Sequence, residues 1–217
     1  MSTGSGTGTP ASSADTLTVA EISKAVLRRL RPLGMNVNNI EDELEEVLVD
    51  ISMRDEFLTL TGSVTTVDGT QSYTSPTRMK SVEEMYISGG NHITPLHGGY
   101  EAFQQYIEDS STPAEGEPQY YCVYNDKVYF TPIPDAAYTV VVEYTYFHES
   151  STTIAYPSRF KSAIVNGVLN KLLTGVLREG KQNAQDSIIY HQMYENDLKV
   201  LKGTVKRQPK YIKYNDI

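Results

Sequence analysis

Between residues 116 and 147 the chain reads GEPQYYCVYNDKVYFTPIPDAAYTVVVEYTYF, a run that no helix accommodates. Residues 120–124 and 127–131 are aromatic and β-branched, and Asn125-Asp126 between them is the polar pair of a two-residue hairpin. Pro132-Ile133-Pro134-Asp135 makes a rigid corner, because each proline fixes its own φ and pushes its predecessor extended. Residues 138–147 then form a longer strand. Val140, Val142, Tyr144 and Tyr146 lie on one face, with Thr139, Glu143 and Thr145 on the other. That period of two implies one buried face and one wetter face.

Helical patterns flank this stretch. Thr18-Val19-Ala20-Glu21 is a capping box, with Leu17 and Ile22 placed as a hydrophobic staple. Val19, Ile22, Val26 and Leu30 continue at helical spacing until Pro32 and Gly34. A second helix follows Asn38-Asn39, with Ile40, Leu44, Val47, Leu48 and Ile51 as its apolar face. Its other face carries Glu41, Asp42, Glu43, Glu45, Glu46 and Asp50, with no compensating base expected. Such a face is either solvated, helped by the dipole at the helix N-terminus, or repels another polyanion. Towards the C-terminus, Pro157 and Ser158 open what the pattern predicts as the longest helix. Ile164, Val168, Leu172 and Val176 form one row, and Val165, Leu169, Leu173 and Leu177 a second. Gly167 and Gly175 within it imply close approach of a neighbouring helix. A fourth helix spans about residues 183–202, with Tyr190, Tyr194, Leu198 and Leu201 on one face.

Between the second helix and the central stretch the period is that of strands. Residues 57–67 alternate, Asp68-Gly69 turns the chain and residues 71–74 start back, a β-hairpin pattern. Residues 81–88 are a further strand closed by Gly89-Gly90, and 100–107 a short helix. Residues 108–118 and 149–156 read as polar links. The expected fold is therefore α+β: a four-helix-type bundle from the N- and C-terminal helices (17–55 and 157–203) with an inserted antiparallel β domain (56–150). Extended arms stand at 1–16 and 204–217. The first arm is low-complexity Gly/Ser sequence, expected to be flexible unless a partner surface holds it. Its Gly4 and Gly8 spacing resembles a phosphate loop only faintly, since it follows no strand and lacks the lysine.

The formal charge of −8 argues against a generic nucleic-acid binder, whose affinity rests on neutralising phosphates. The charge is uneven: residues 199–217 carry six basic side chains against Asp216 alone. One cysteine, Cys122, permits no internal disulfide and fits a reducing compartment. Neither a membrane-spanning run nor a signal peptide is expected. His92 and His97 have the wrong spacing for a helical metal pair, and His148 and His191 stand apart. Cys122 sits in a strand without a neighbouring base and reads as a buried structural residue. Catalytic fingerprints are absent, and nothing marks any carboxylate pair as catalytic. The tyrosines could stack sugars or bases, although in alternation with valine they read first as core and contact residues. No catalytic residue, metal ligand or cofactor is expected.

The string Gly116-Glu117-Pro118-Gln119-Tyr120, the hairpin from Val123 to Phe130, the Pro132–Asp135 corner and the strand Tyr138 to Tyr146 resemble the head-to-tail adaptor (neck, or head-completion) proteins of tailed bacteriophages. Tyr156-Pro157 and the long apolar helix followed by a tyrosine-rich one extend the likeness, which spans residues 17–201. The resemblance implies a virion protein of the head–tail neck, assembled in the host cytoplasm. Its implied partners are the portal protein, tail components (tube, nozzle or fibre) and further copies in a twelvefold ring, with DNA passing through the channel without specific binding. It assigns Lys206, Arg207, Lys210, Tyr211, Ile212, Lys213 and Tyr214 to a portal-docking arm. It makes Glu41, Asp42, Glu45, Glu46 and Asp50 a candidate acidic channel lining. Alternatives are another tail module, such as tube or fibre attachment, or a carbohydrate-binding or hydrolytic β module.

Overall fold

A computed structural model describes residues 16–33, 40–108, 114–148, 153–176 and 181–204. In chain order these form β1 (Thr16–Thr18), α1 (Val19–Leu30) with a 3-10 turn (Arg31–Leu33), α2 (Ile40–Arg54), β2 (Thr59–Thr65), β3 (Ser72–Thr74), β4 (Met79–Ile87), β5 (Thr94–Pro95) and α3 (Gly99–Glu108). They continue with β6 (Tyr120–Tyr124), β7 (Lys127–Thr131), β8 (Thr139–Tyr146), β9 (Thr153–Pro157), a second 3-10 turn (Ser158–Phe160), α4 (Lys161–Val176) and α5 (Lys181–Thr204). The class is α+β, with five α-helices and three sheets among the described residues. Two compact units emerge: residues 58–147, and the segments that flank them in sequence.

The β unit contains two sheets. One has the order β2-β8-β4, antiparallel throughout; the other has the order β3-β7-β6-β5, with β5 parallel to β6. One core serves both: Met85 and Ile87 from β4, Tyr121 from β6, Val128 and Phe130 from β7, and Val140, Val142 and Tyr144 from β8. The period of two in β8 holds from Thr139 to Tyr144, where buried Val140, Val142 and Tyr144 alternate with more exposed neighbours; it breaks at Thr145, expected on the wetter face but buried, its hydroxyl 2.7 Å from that of Ser81 on β4. Asn125 and Asp126 both adopt positive φ, 49° and 57°, the backbone a type I′ turn between β6 and β7 requires.

The hairpin expected from residues 57–74 does not form. β2 lies along β8, from Thr59 opposite Thr145 to Thr65 opposite Thr139, whereas β3 pairs with β7 in the other sheet. Asp68-Gly69 does turn the chain, with Gly69 at φ 69°, but the turn passes it from one sheet to the next. The Tyr73 hydroxyl holds that crossing: it accepts from the Val67 N–H at 3.0 Å and donates to the Thr70 carbonyl. Alternation identifies a strand without naming its partner, and the partner here is far along the chain.

In the helical unit the capping box forms as read. The Thr18 hydroxyl accepts from the Glu21 N–H at 3.2 Å, and the Glu21 carboxylate accepts from the Thr18 N–H at 3.0 Å. Residues 153–156, expected within a polar link, and Pro157, expected to open the next helix, instead form β9, antiparallel to β1. Ile154 and Tyr156 point inward, and the Tyr156 hydroxyl donates to the Leu48 carbonyl at 2.9 Å. The longest helix is α5, not α4. Both rows of α4 are buried from Ile164 to Leu173, and α4 packs against α1, α2 and α5.

Gly167 makes that packing possible. A β-carbon there would lie 2.8 Å from Val47 Cγ1 on α2 and 3.0 Å from the Tyr194 ring on α5. The expectation of close helix approach is met at this residue. Glycine costs a helix about 1 kcal/mol relative to alanine, but overpacking a buried contact costs about 1–3 kcal/mol. Gly167→Ala is therefore expected to destabilise the protein despite its better helix propensity. Combined with Val47→Ala, which removes the obstructing methyl groups, the loss should fall short of the sum of the single losses by about 1 kcal/mol. Urea denaturation of the four proteins in the cycle measures this; strict additivity would refute the contact.

Candidate functional site

The acidic face of α2 is real but smaller than the sequence pattern suggests. Glu41, Asp42 and Glu45 are exposed, and among the described residues no base pairs with them. Glu46 is also exposed but accepts a charged hydrogen bond from Lys171 Nζ of α4 at 2.6 Å. Asp50 is held by Arg54 Nε, one turn on, at 2.9 Å, and accepts from the Tyr194 hydroxyl at 2.7 Å. The expectation of an acidic row without bases is thus corrected at Glu46 and Asp50. Their partners come from another helix, from an aromatic hydroxyl and from the next turn of α2 itself. Glu43 is partly buried, and desolvation followed by the nearby Glu46 charge raises its carboxyl above its ordinary range.

Around Asp50 the contacts converge further. Arg54 also pairs with Glu195 of α5, and its guanidinium lies 5.3 Å from the Tyr194 ring centroid. Burial, reinforced by the hydrogen bond to Asp50, drives the Tyr194 phenol far above its ordinary value. Asp50 and Arg54 therefore knit α2 to α5 and are not free surface charges. A second polar knot lies on α4. Buried Asn166 accepts from Arg29 of α1 through Oδ1 and donates from Nδ2 to Asp197 of α5 at 2.8 Å. One amide thus joins three helices.

A feature passed over in the sequence lies on α1. Lys24, Leu27, Arg28 and Arg31 recur at i, i+3, i+4 and i+7, and all four are exposed. Among the described residues none of the three bases has an ion-pair partner. The helical unit thus presents a basic face with a central leucine on one helix and an acidic face on another. The spacing was visible in the sequence, but the capping box and the buried row drew the reading of this helix.

The other sequence candidates are placed as follows. Cys122 is buried in β6, and burial pushes its thiol up to about 11. His148 is buried, stacked on Tyr156 at 5.4 Å between centroids, with Nε2 accepting from the Ala155 N–H. His92 lies 3.2 Å from Glu84 at the surface. Among the described residues no three His, Cys, Asp or Glu side chains gather to hold a metal ion. Of the central tyrosines, Tyr120 and Tyr124 are exposed, and Tyr124 stacks on Tyr100 of α3, 4.1 Å between centroids and 7° between planes. The docking-arm residues Lys206, Arg207, Lys210, Tyr211, Ile212, Lys213 and Tyr214 lie outside the described residues, as does the 1–15 arm. Among the described residues no helix is long and apolar enough to cross a membrane.

A family model described as SU10 adaptor protein matches residues 17–211. It begins at Leu17, where the resemblance noted above begins, and takes in both units. No curated protein matches the chain.

Two outcomes follow from this chemistry. Replacing Asn166 by Leu leaves Arg29 and Asp197 without their shared partner, at a cost of about 2–3 kcal/mol since both hydrogen bonds involve charged groups. Urea titration checks this, and an unchanged midpoint would show that the amide joins nothing. Burial raises the phenols of Tyr121, Tyr144, Tyr146 and Tyr194 above their ordinary value. Stability from a raised group is complete below its unfolded value of about 10 and is lost as pH rises beyond it. Tyrosinate absorbance and circular dichroism should therefore show these phenols ionising together with unfolding at alkaline pH. Full tyrosine ionisation in a folded protein would contradict it.

Proposed function

The chain belongs to the SU10 adaptor protein family, and on that premise we propose that it is a structural virion protein of the phage head–tail neck. Copies form a ring, twelvefold to match the portal, that docks on the portal, continues the DNA channel and offers the tail its attachment surface. The helices α1, α2, α4 and α5 act as one bundle, with residues 58–147 as an inserted β domain. The basic segment 205–217 serves as the docking arm, and assembly takes place in the host cytoplasm. The observation that carries this reading is the family match across residues 17–211.

The protein works as a scaffold and not as an enzyme. Its one cysteine is buried with its thiol held in the protonated form, a poor nucleophile at neutral pH. The buried polar groups of the helical unit are committed to holding helices together: Asn166 ties α1 and α5 to α4, and Tyr194 ties α5 to α2. A load-transmitting ring needs rigid subunits, and such cross-links supply rigidity. DNA passes through without specific recognition, in keeping with a net charge of −8.

Adding the purified protein to isolated portal rings tests the proposal. Negative-stain images are expected to show an added layer on one end of the portal. A chain lacking residues 205–217 should fold, judged by circular dichroism, and fail to add that layer. Portal rings left bare by the full-length protein would defeat the adaptor reading; a layer formed equally well by the truncated chain would remove only the arm.

A further inference from the structure

The adaptor reading requires copies to stand side by side but does not say which surfaces meet. We propose that the basic face of α1 in one copy docks on the acidic face of α2 in the next. The inference rests on the ring reading and gives the α2 acids a role in contacts between copies in place of a role as channel lining.

Charge and apolar spacing carry the argument. Lys24, Arg28 and Arg31 form one exposed face of α1 and its following turn, with Leu27, 43% exposed, between them. Glu41, Asp42 and Glu45 form the exposed face of α2 that no base among the described residues neutralises, and Met53, 61% exposed, lies further along the same helix. Three bases around Leu27 and three acids at the start of α2 are complementary in sign and matched in number. The acids lie on α2 and the bases on α1 and the turn that continues it, so each set can be presented to a neighbour as a unit. Among the described residues no ion pair joins the two sets: α2 draws its neutralising bases from Lys171 and Arg54, and Arg29 of α1 turns to Asn166. A contact between two different faces is heterologous, and such a contact repeated by rotation closes into a ring. Complementary charge fixes the register of the contact and excludes the like-charged alternatives, α1 on α1 and α2 on α2.

The test is a charge-reversal exchange in the full chain. One variant carries Lys24→Glu, Arg28→Glu and Arg31→Glu; the other carries Glu41→Lys, Asp42→Lys and Glu45→Lys. Each variant alone opposes like charges at every junction, and ring assembly on portal should fall by at least about tenfold. Mixed in equal amounts they should recover assembly, because the acidic α1 of the first variant meets the basic α2 of the second at one junction. At the next, the unaltered α1 of the second meets the unaltered α2 of the first. Recovery also shows that both variants are folded. The same three samples are cross-linked without portal at raised concentration, where only the mixture should give oligomers. Either variant assembling alone like the unaltered protein, or a mixture of folded variants that gives no oligomers, overturns the inference. If Glu41→Gln, Asp42→Gln and Glu45→Gln together leave assembly intact yet change DNA passage, the acids line the channel and the inference falls. If the unaltered protein leaves portal bare, the adaptor reading fails, and cross-linking of the mixture still decides the contact.

Discussion

Val47 of α2 and Tyr194 of α5 converge on one backbone position of α4, and the helical unit closes there only because residue 167 has no side chain. Overpacking is hard to relieve at this point, since Val47 is buried and β-branched, with one strongly preferred rotamer in a helix. One residue earlier, Asn166 supplies what glycine cannot. Its carbonyl oxygen faces the Arg29 guanidinium and its amide nitrogen faces the Asp197 carboxylate, so the two charges select one orientation of the amide. Gly167 governs how near the helices come, and Asn166 governs how they are aligned. The ties from Arg54 and Tyr194 to neighbouring groups act on helices already brought within reach.

Much of this was legible in the residues, and the gaps have physical causes. The capping box of α1, the two apolar rows of α4 and the strands around Asn125-Asp126 depend on contacts within a few residues, which spacing reports directly. The pairing of β2 with β8 depends on a partner far along the chain, and the Asp68-Gly69 turn pointed to the wrong neighbour because turn chemistry specifies a change of direction alone. β9 escaped notice because Ile154 and Tyr156 give only two beats of a period, and its partner β1 has three residues. At the candidate site the acids of α2 could be counted from sequence. Only the fold shows that Lys171 reaches Glu46 from α4, and that Tyr194 and Arg54 occupy Asp50.

That correction changes what the charges of the helical unit can do. Once Glu46 and Asp50 are neutralised within the chain, the remaining exposed acids of α2, Glu41, Asp42 and Glu45, lie in its first turns, and the bases without an ion-pair partner among the described residues, Lys24, Arg28 and Arg31, lie on α1 and the turn after it. A surface that mixed its signs residue by residue would be indifferent to its neighbours beyond about 8 Å at physiological salt. A surface that sorts its signs onto two helices is not indifferent at contact, because every junction between copies either matches or opposes them.

The strength of such a junction bears on when it forms. Exposed ion pairs contribute about 0.2–1 kcal/mol each, so three of them with an apolar residue would hold free copies together only weakly. On a template the balance differs. In the proposed ring, a copy bound to a portal would meet its neighbour at an effective concentration set by the spacing of the portal subunits, and the same weak contact would then operate intramolecularly. Junctions of the proposed kind would favour closed rings on a portal over premature filaments in solution. Under the proposed contact, the sorting of charge on α1 and α2 would suit a subunit whose assembly waits for its template.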